Sequence, residues 1–384
     1  MTRSITFFLI LATLFCVKTD AQNDVWQHEY EGDIPIYIDS IQTSLTYPYA
    51  YFNYKEKARW RADARKKVFE CMGALPPSPD SWDMKVIAEE RRDGYVARKI
   101  EFALSRWYRV KAYLLVPFGQ GKHPAVNLLH DHGAHLSIGK EKMIRPFAVD
   151  STVFADANAW AKQLYEGQYL GDYLARNGYV VFSIDAPLWG ERGRKEGVDR
   201  KKYDIIAGNM MMAGQNLCAY MHRDDIMSTA FLASLPFVDK DRIGAAGCSM
   251  GAYRTWMLSA LSDDIKAGCA ICWMITTEAQ LTKKYGRKEN GGFANTIPNL
   301  RRYMDYPDIA SLAAPKPMLF VSGKRDKLFP IQGVEDAFNK MHAVWDAMGA
   351  SEKLETFILD QPHECNLNNQ KMILEFFNRN LRKR

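Results

Sequence analysis

Several features that mark non-globular proteins are scarce in this sequence. Its 384 residues include 16 prolines and 25 glycines, too few for a collagen-like or low-complexity chain. Apolar residues make up 47% and charged residues 25%, which argues against extensive disorder. Seven cysteines in a chain of this length do not make the dense framework of a small disulfide-stapled domain. The composition therefore predicts a globular protein of one large domain or two of ordinary size.

The sequence also lacks a strong charge of either sign. Lys and Arg number 51 against 45 Asp and Glu, a formal net charge of +6, and no concentrated basic block precedes the C-terminal tip. Nucleic acid is therefore not an expected partner. The small positive charge still allows a basic face that binds an acidic substrate. Aromatic residues, at 12%, are enough for a large core and an aromatic-lined cleft.

Long apolar runs are absent outside the N-terminus. The run from Ile5 to Val17 follows a single arginine and is too short to span a bilayer comfortably. Thr19 and Ala21 are small residues of the kind that signal peptidase reads. Residues 1–21 are therefore predicted to be a secretory signal peptide, which would make the mature protein secreted or periplasmic, without stable membrane insertion. An N-terminal core helix and a lipid anchor at Cys16 are the alternatives.

The rest of the chain divides into two parts by pattern. Residues 22–95 are aromatic and irregular with one amphipathic helix, and we interpret them as a helical extension packed on the core. Residues 96–384 alternate short apolar runs with helical stretches, which predicts an α/β catalytic domain with a mainly parallel sheet and helices on both faces. Cys269 and Cys272 have C-x-x-C spacing inside an apolar run, and we interpret them as core packing rather than a zinc site.

The strongest chemical signal is a serine in a tight turn. The segment Gly247-Cys248-Ser249-Met250-Gly251 is a G-x-S-x-G sequence that directly follows a strand-like run and directly precedes a helical one. A nucleophile elbow requires this strand–turn–helix setting, because the turn crowds the backbone and holds the hydroxyl clear of it. Ser249 is therefore the predicted nucleophile, with an ordinary helix cap as the alternative.

A serine hydroxyl needs a base, and the base needs an orienting acid. Asp326 ends a loop after a later strand-like run, and His363 follows the last such run. Serine, acid, histidine is one of the known chain orders for a triad of this kind. Glu278 is the alternative acid, and a solvated loop position without a role is the alternative for each of these residues.

Acyl transfer also needs two N–H donors for the developing oxyanion. Met250, directly after the nucleophile, is predicted to give one from its backbone. The loop over residues 130–135 follows a short apolar strand and contains a His-Gly turn that lets the backbone approach a substrate oxygen closely. We predict that this loop gives the second donor, from Ala134 in the first place and Gly133 in the second.

The same loop contains the residues for a competing chemistry. His130, His132 and His135 are similar to the histidine motif of binuclear metallohydrolases, but Ala134 stands where that motif has an aspartate. The other histidines of the chain form no further ligand pairs. No metal is therefore expected at this loop.

Taken together, these segments resemble the dienelactone-hydrolase and acetyl-xylan-esterase-like branch of the α/β-hydrolases. The matching segments are His130–Gly133, Ile184–Pro187, Gly190–Arg192, Gly247–Gly251, Ala314–Pro317, Asp326 and His363. The resemblance implies an α/β-hydrolase fold with an eight-stranded sheet and a Ser–Asp–His hydrolase that needs no cofactor. Secreted members of this branch often remove ester groups from plant polysaccharides, as acetylesterases or as pectin methylesterases. Glucuronoyl esterases have a similar elbow but with arginine after the serine. This chain has Met250 at that position, which argues against cleavage of glucuronoyl esters.

The expected substrate is therefore an ester of a plant polysaccharide or oligosaccharide, with a uronate-containing chain as one alternative. Segments that follow strand-like runs hold aromatic and basic residues that could stack on sugar rings or bind carboxylates. The candidate contacts are His132, Trp189, Arg192 and Trp273, and the same segments contain Lys140, Lys142, Arg194, Lys195, Tyr285, Arg287 and Lys288. A solvated charged surface is the alternative for these residues.

Two other functions remain open at this point. A peptidase of the prolyl-oligopeptidase type shares the expected core, but the roughly 75 residues before the first expected strand are too few for its propeller domain. A catalytically silent, carbohydrate-binding hydrolase fold is the second alternative. The oligomeric state is not predicted.

Overall fold

The computed structural model describes residues 33–193, 200–282 and 289–382. The predicted signal peptide, residues 1–21, lies outside the described residues. So do five of the residues noted above as possible substrate contacts: Arg194, Lys195, Tyr285, Arg287 and Lys288.

A nine-stranded mixed sheet forms the centre of the described protein. Its strands are β1 (Lys85–Arg92), β2 (Tyr95–Ala103), β3 (Arg109–Pro117), β4 (His123–Leu129), β5 (Val180–Ile184), β6 (Val238–Cys248), β7 (Ile265–Ile271), β8 (Met318–Gly323) and β9 (Leu354–Leu359). Their order across the sheet is β1-β2-β3-β5-β4-β6-β7-β8-β9. The pairings from β1 to β5 are antiparallel, and those from β5 to β9 are parallel.

Twelve α-helices connect or flank the strands in the described part of the chain. They are α1 (Ile34–Thr43), α2 (Trp60–Met72), α3 (Ser151–Tyr165), α4 (Leu170–Arg176), α5 (Arg200–Met212), α6 (Leu217–Ser234), α7 (Met250–Leu261), α8 (Thr277–Gln280), α9 (Glu289–Ala294), α10 (Tyr306–Ala310), α11 (Ile331–Ala347) and α12 (Leu367–Leu381). None of these helices is long and apolar enough to cross a bilayer.

Helices cover both faces of the sheet. On one face α3, α4 and α12 bury side chains such as Tyr165 against strand residues such as Val126. On the other face α6 and α7 bury Phe231 and Leu258 against Phe102, and α2, α10 and α11 extend that layer. The interior strand β5 is buried along its whole length, because a strand covered on both faces has no solvent side. The predicted α/β architecture is confirmed.

The strand count corrects the expectation of eight strands. The additional strand is β1, which lies within the segment that we interpreted as a helical extension, so the sheet begins before residue 96. β1 is an edge strand with only Arg92 buried, and its charged sequence therefore has no continuous apolar run. An exposed edge strand does not need such a run, which is why the pattern did not indicate it.

The segment before β1 packs on the core through α2. Trp60, Ala64, Val68 and Met72 recur every four residues and are fully buried, which is the spacing of one helix face. The Trp60 indole donates a hydrogen bond to the Tyr49 carbonyl at 2.8 Å. This packing supports the proposed extension for the residues before β1.

Candidate active site

Ser249 occupies a strained turn between β6 and α7. Its backbone has φ 55° and ψ −124°, a region that costs energy for any residue with a Cβ. The Ser249 N–H donates to the Ile271 carbonyl at 2.8 Å, which ties the turn to β7. The Ser249 side chain makes no capping hydrogen bond to α7. The helix-cap alternative therefore has no support, and Ser249 is a partly buried residue at the helix N-terminus.

Two glycines make this turn possible. A Cβ on Gly251 would lie 1.9 Å from the Leu129 carbonyl oxygen, and one on Gly247 would lie 2.4 Å from the same atom. Both distances are far below van der Waals contact, so the elbow and the end of β4 meet backbone to backbone. This close approach puts the loop after Leu129 beside Ser249.

His363 and Asp326 form a direct pair at the same edge of the sheet. His363 Nδ1 lies 2.6 Å from Asp326 Oδ2, and the Asp326 side chain is 2% exposed. Asp326 Oδ1 accepts the Leu328 N–H at 2.8 Å. The alternative acid, Glu278, lies exposed in α8, where its backbone carbonyl accepts a hydrogen bond from Gln42. Of the two candidate acids, the structure brings Asp326 to the histidine.

The surroundings of His363 favour the protonated form of its ring at neutral pH. Burial by itself lowers the pKa of His363, but the hydrogen bond to Asp326 and the nearby negative charges outweigh it and raise the pKa to about 8. The Ser249 hydroxyl has no hydrogen-bond partner among the described residues, His363 included. Such catalytic contacts are often long before substrate binds and tighten in the complex.

The raised pKa predicts a pH dependence. His363 can accept the serine proton only when its ring is neutral, so kcat/KM on a small neutral ester should rise with pH and level off above about 8. Well below that midpoint the rate should fall about tenfold for each pH unit. Initial rates measured on both sides of pH 8 test this, and a profile that is flat through that region would contradict the role of His363.

The two oxyanion candidates of the loop differ in the structure. The Ala134 N–H donates to His132 Nδ1 at 2.9 Å, so it is not available to a substrate oxygen in this conformation. Gly133 has φ 60° and is exposed, and a Cβ there would lie 2.4 Å from the Trp160 ring. This contact favours Gly133 over Ala134 as the loop donor, and the assignment stays a prediction. Met250 begins α7, whose first-turn N–H groups have no partner within the helix.

The three loop histidines have three separate roles. His130 is fully buried; Nδ1 lies 2.8 Å from the Asp131 carbonyl, and Nε2 accepts the Ala186 N–H at 2.9 Å. Burial, with the positive charge of Arg254 nearby, holds the pKa of His130 well below its ordinary value. His135 Nε2 lies 2.5 Å from the Asp156 carboxylate, and His132 binds Ala134. The rings do not face a common point, so the metallohydrolase alternative gains no support.

A cluster of three acidic side chains near the loop already surrounds a cation, the Lys140 ammonium. Glu141, Asp185 and Glu191 hold carboxylate oxygens close enough to share an ion. The Lys140 ammonium lies 2.7, 2.9 and 2.8 Å from these three carboxylates. A metal ion at this position would have to displace a fully buried lysine.

Three of the four predicted substrate contacts are already packed or paired within the protein. Trp189 is fully buried and donates its indole N–H to the His132 carbonyl at 3.2 Å. Arg192 pairs with Asp224 at 2.6 Å, and Trp273 is 3% exposed within an aromatic cluster. Trp189 and Trp273 are covered by protein and the Arg192 charge is already paired with Asp224, which argues against their assignment as sugar or carboxylate contacts. His132 and Arg192 are the partly exposed members of the set.

Two neighbours of the His363–Asp326 pair did not emerge from the sequence. The Cys272 sulfur lies within 4.8 Å of the ligand atoms of both residues, and the Phe329 ring stacks on His363 with centroids 6.0 Å apart. Phe329 follows Asp326 by only three residues, and this short separation could have indicated a position close to the candidate acid. Cys269 is buried in the core, as predicted. Cys272 is buried there too, but it also lies beside the His363–Asp326 pair.

This chain is similar to one protein family in sequence and to several solved structures in fold. A sequence profile of the Abhydrolase family matches residues 34–357. "Putative hydrolase YtaP" of Bacillus subtilis is 27% identical over 294 residues, 76% of this chain and 90% of that protein. A "putative acetyl xylan esterase" structure from Bacteroides fragilis has a TM-score of 0.69 at 18% identity, covering 86% of this chain and 82% of that one. Methylesterase BT1017 has a TM-score of 0.57 at 18% identity, covering 88% and 68%.

Proposed function

The chain belongs to the Abhydrolase family of α/β-hydrolases, and on this premise we propose that it is a secreted serine esterase that removes ester groups from plant cell-wall polysaccharide. The observation that carries the proposal is the strained Ser249 elbow at the same sheet edge as the 2.6 Å pair of His363 and Asp326. A serine presented in this way beside an acid–histidine pair is the arrangement of nucleophilic acyl transfer.

The first half of the reaction forms an acyl-enzyme. Neutral His363 accepts the Ser249 proton at Nε2 as the hydroxyl oxygen attacks the ester carbonyl. Asp326 holds the proton on Nδ1 and stabilises the imidazolium. The N–H groups of Met250 and Gly133 donate to the oxyanion of the tetrahedral intermediate. The imidazolium then gives its proton to the departing alcohol, and the acyl group stays on Ser249.

The second half returns the enzyme to its starting state. His363 removes a proton from water, which attacks the acyl-enzyme carbonyl through a second tetrahedral intermediate. Collapse of this intermediate releases the acid and restores the Ser249 hydroxyl. For an acetyl ester the sugar leaves first and acetate second, whereas for a methyl ester methanol leaves first and the sugar acid second.

Of the two esters, the structure gives more support to acetyl on a neutral sugar. The group that is cleaved is neutral in both esters, but free uronates beside it on a pectin chain would need a cation that is available to bind a carboxylate. Among the described residues, Arg192 is paired with Asp224, and Lys140 is enclosed by three carboxylates. The fold is also similar to that of a protein described as an acetyl xylan esterase. Residues 33–84 form two helices and no propeller blade, so the peptidase alternative gains no support.

The products distinguish these esters. Incubation of the protein with acetylated xylan should release acetate, in excess of the methanol released from methyl-esterified pectin. The opposite ratio would assign a pectin methylesterase. Release of neither product by a chain that still reacts with a fluorophosphonate at Ser249 would reject the carbohydrate substrate, and failure to react would favour the catalytically silent alternative.

A further inference from the structure

A buried lysine lies directly behind the loop over residues 130–135. Lys142 ends a short 3-10 turn, and its side chain is completely inaccessible to solvent. Its Nζ lies 3.0 Å from the His132 carbonyl oxygen, 3.1 Å from the Asp131 carbonyl oxygen and 3.3 Å from Asp131 Oδ1. An ammonium has three N–H donors, and all three have an oxygen to bind within this loop.

The counter-charge of Lys142 is itself fixed in place. The Asp131 carboxylate is fully buried, and its Oδ2 accepts the Tyr165 hydroxyl at 2.8 Å and the Trp160 indole N–H at 3.2 Å. The Lys142 ammonium lies 5.2 Å from the Trp160 ring centroid. Removing two charges from water is costly unless they are paired and fully hydrogen-bonded. Every polar atom of this pair meets that condition.

The geometry of one peptide bond connects Lys142 to the reaction. The carbonyl of His132 and the N–H of Gly133 belong to the same planar peptide, and in a trans peptide they point in opposite directions. Lys142 binds that carbonyl on the buried side, together with the Trp189 indole at 3.2 Å, and the His135 N–H of the loop itself lies 3.3 Å from the same oxygen. The Gly133 N–H therefore faces away from the interior, on the exposed side of the loop.

We propose that Lys142 is a positioning residue of the oxyanion hole, which holds the His132 carbonyl inward and thereby aims the Gly133 N–H at the substrate oxygen. This inference rests on the proposed esterase function, since it concerns the donor that the reaction uses. Lys142 itself contacts neither substrate nor the reacting atoms. Its effect is expected on the transition state, because the oxyanion forms only there.

The decisive variant is Lys142→Met, which keeps the length of the side chain and removes the charge. On 4-nitrophenyl acetate we expect kcat to fall about tenfold to a hundredfold, less than the roughly 10²- to 10³-fold loss when an oxyanion donor is removed outright. KM should change little. Inhibition by phenylboronic acid, which forms a tetrahedral adduct with a serine, should weaken by the same factor as kcat/KM. Lys162→Met, at an exposed position of α3, is the matched control and should leave all three values unchanged.

A second variant guards against a folding failure in the first. Tyr165→Phe removes a single oxygen atom from the Asp131 partners and should lower kcat and boronate affinity in parallel by a smaller factor. The role of Lys142 would be overturned if both variants lose thermal stability while kcat stays unchanged. If Lys142→Met does not fold, the same result in Tyr165→Phe alone would overturn it. An unaltered chain that neither hydrolyses the acetate nor binds the boronate would instead reject the esterase function itself.

Discussion

Replacing Ser249 with alanine should lower kcat for ester hydrolysis by about 10⁶-fold, as loss of the nucleophile does in serine hydrolases. The alanine variant has no oxygen to form the acyl-enzyme, although Met250, Gly133 and His363 remain in place. Residual turnover would then come from the oxyanion donors and substrate binding alone. The measurement is kcat on 4-nitrophenyl acetate, together with covalent labelling by a fluorophosphonate.

The fold should survive this substitution. Ser249 makes its structural contact through the backbone N–H to Ile271, which alanine retains. The φ of 55° is strained for alanine as it is for serine, so thermal stability should stay close to that of the unaltered chain. Ser351→Ala, at an exposed position, is the matched control. Full activity or labelling in Ser249→Ala would reject Ser249 as the nucleophile.

Replacing Asp326 with asparagine should lower kcat by about 10⁴-fold, the effect known for the triad acid. The structure explains the direction. Oδ1 of residue 326 accepts the Leu328 N–H, and an asparagine would keep its oxygen there and turn its NH₂ group toward His363 Nδ1. The ring would then carry its proton on Nε2, where it cannot accept the serine proton. The same change should lower the midpoint of the pH profile, because the hydrogen bond to Asp326 is the largest of the effects that raise the pKa of His363.

Glu278→Gln is the matched control for this prediction. Its side chain is exposed in α8, and the change likewise converts a carboxylate to an amide, so activity should not change. Loss of activity in Glu278→Gln with retention in Asp326→Asn would move the acid to residue 278. The two variants measured side by side therefore decide between the candidates that the sequence left open.

The elements that the sequence predicted are those defined by local pattern. Gly247, Ser249 and Gly251 lie together in the chain, and the strained turn depends mainly on these neighbours and on the backbone of Leu129. The candidate acid and base each follow a buried strand, and parallel strands end at one edge of the sheet. The α/β-hydrolase resemblance and the sheet with helices on both faces are confirmed. Edge strand β1 was not predicted, because its charged sequence faces solvent.

The predictions that needed correction concerned exposure and hydrogen-bond direction. Trp189 and Arg192 have the residue types of sugar and carboxylate contacts, but one is fully buried and the other is paired with Asp224. Ala134 and Gly133 were both reasonable oxyanion donors from the sequence. They differ because the Ala134 N–H already donates to the His132 ring. A residue's type indicates what it can bind, whereas its neighbours in space decide whether that capacity is already used.

The sequence by itself determined the fold class and the chain order of elbow, acid and base, because hydrophobic periodicity and glycine spacing act over a few residues. The tertiary structure decided which acid meets His363, which loop N–H stays available and that Lys142 lies behind the loop. Those outcomes depend on contacts between segments far apart in the chain, such as Tyr165 with Asp131 and Asp326 with His363. Such contacts form only when the sheet brings its strand ends together, and no local pattern encodes their distances.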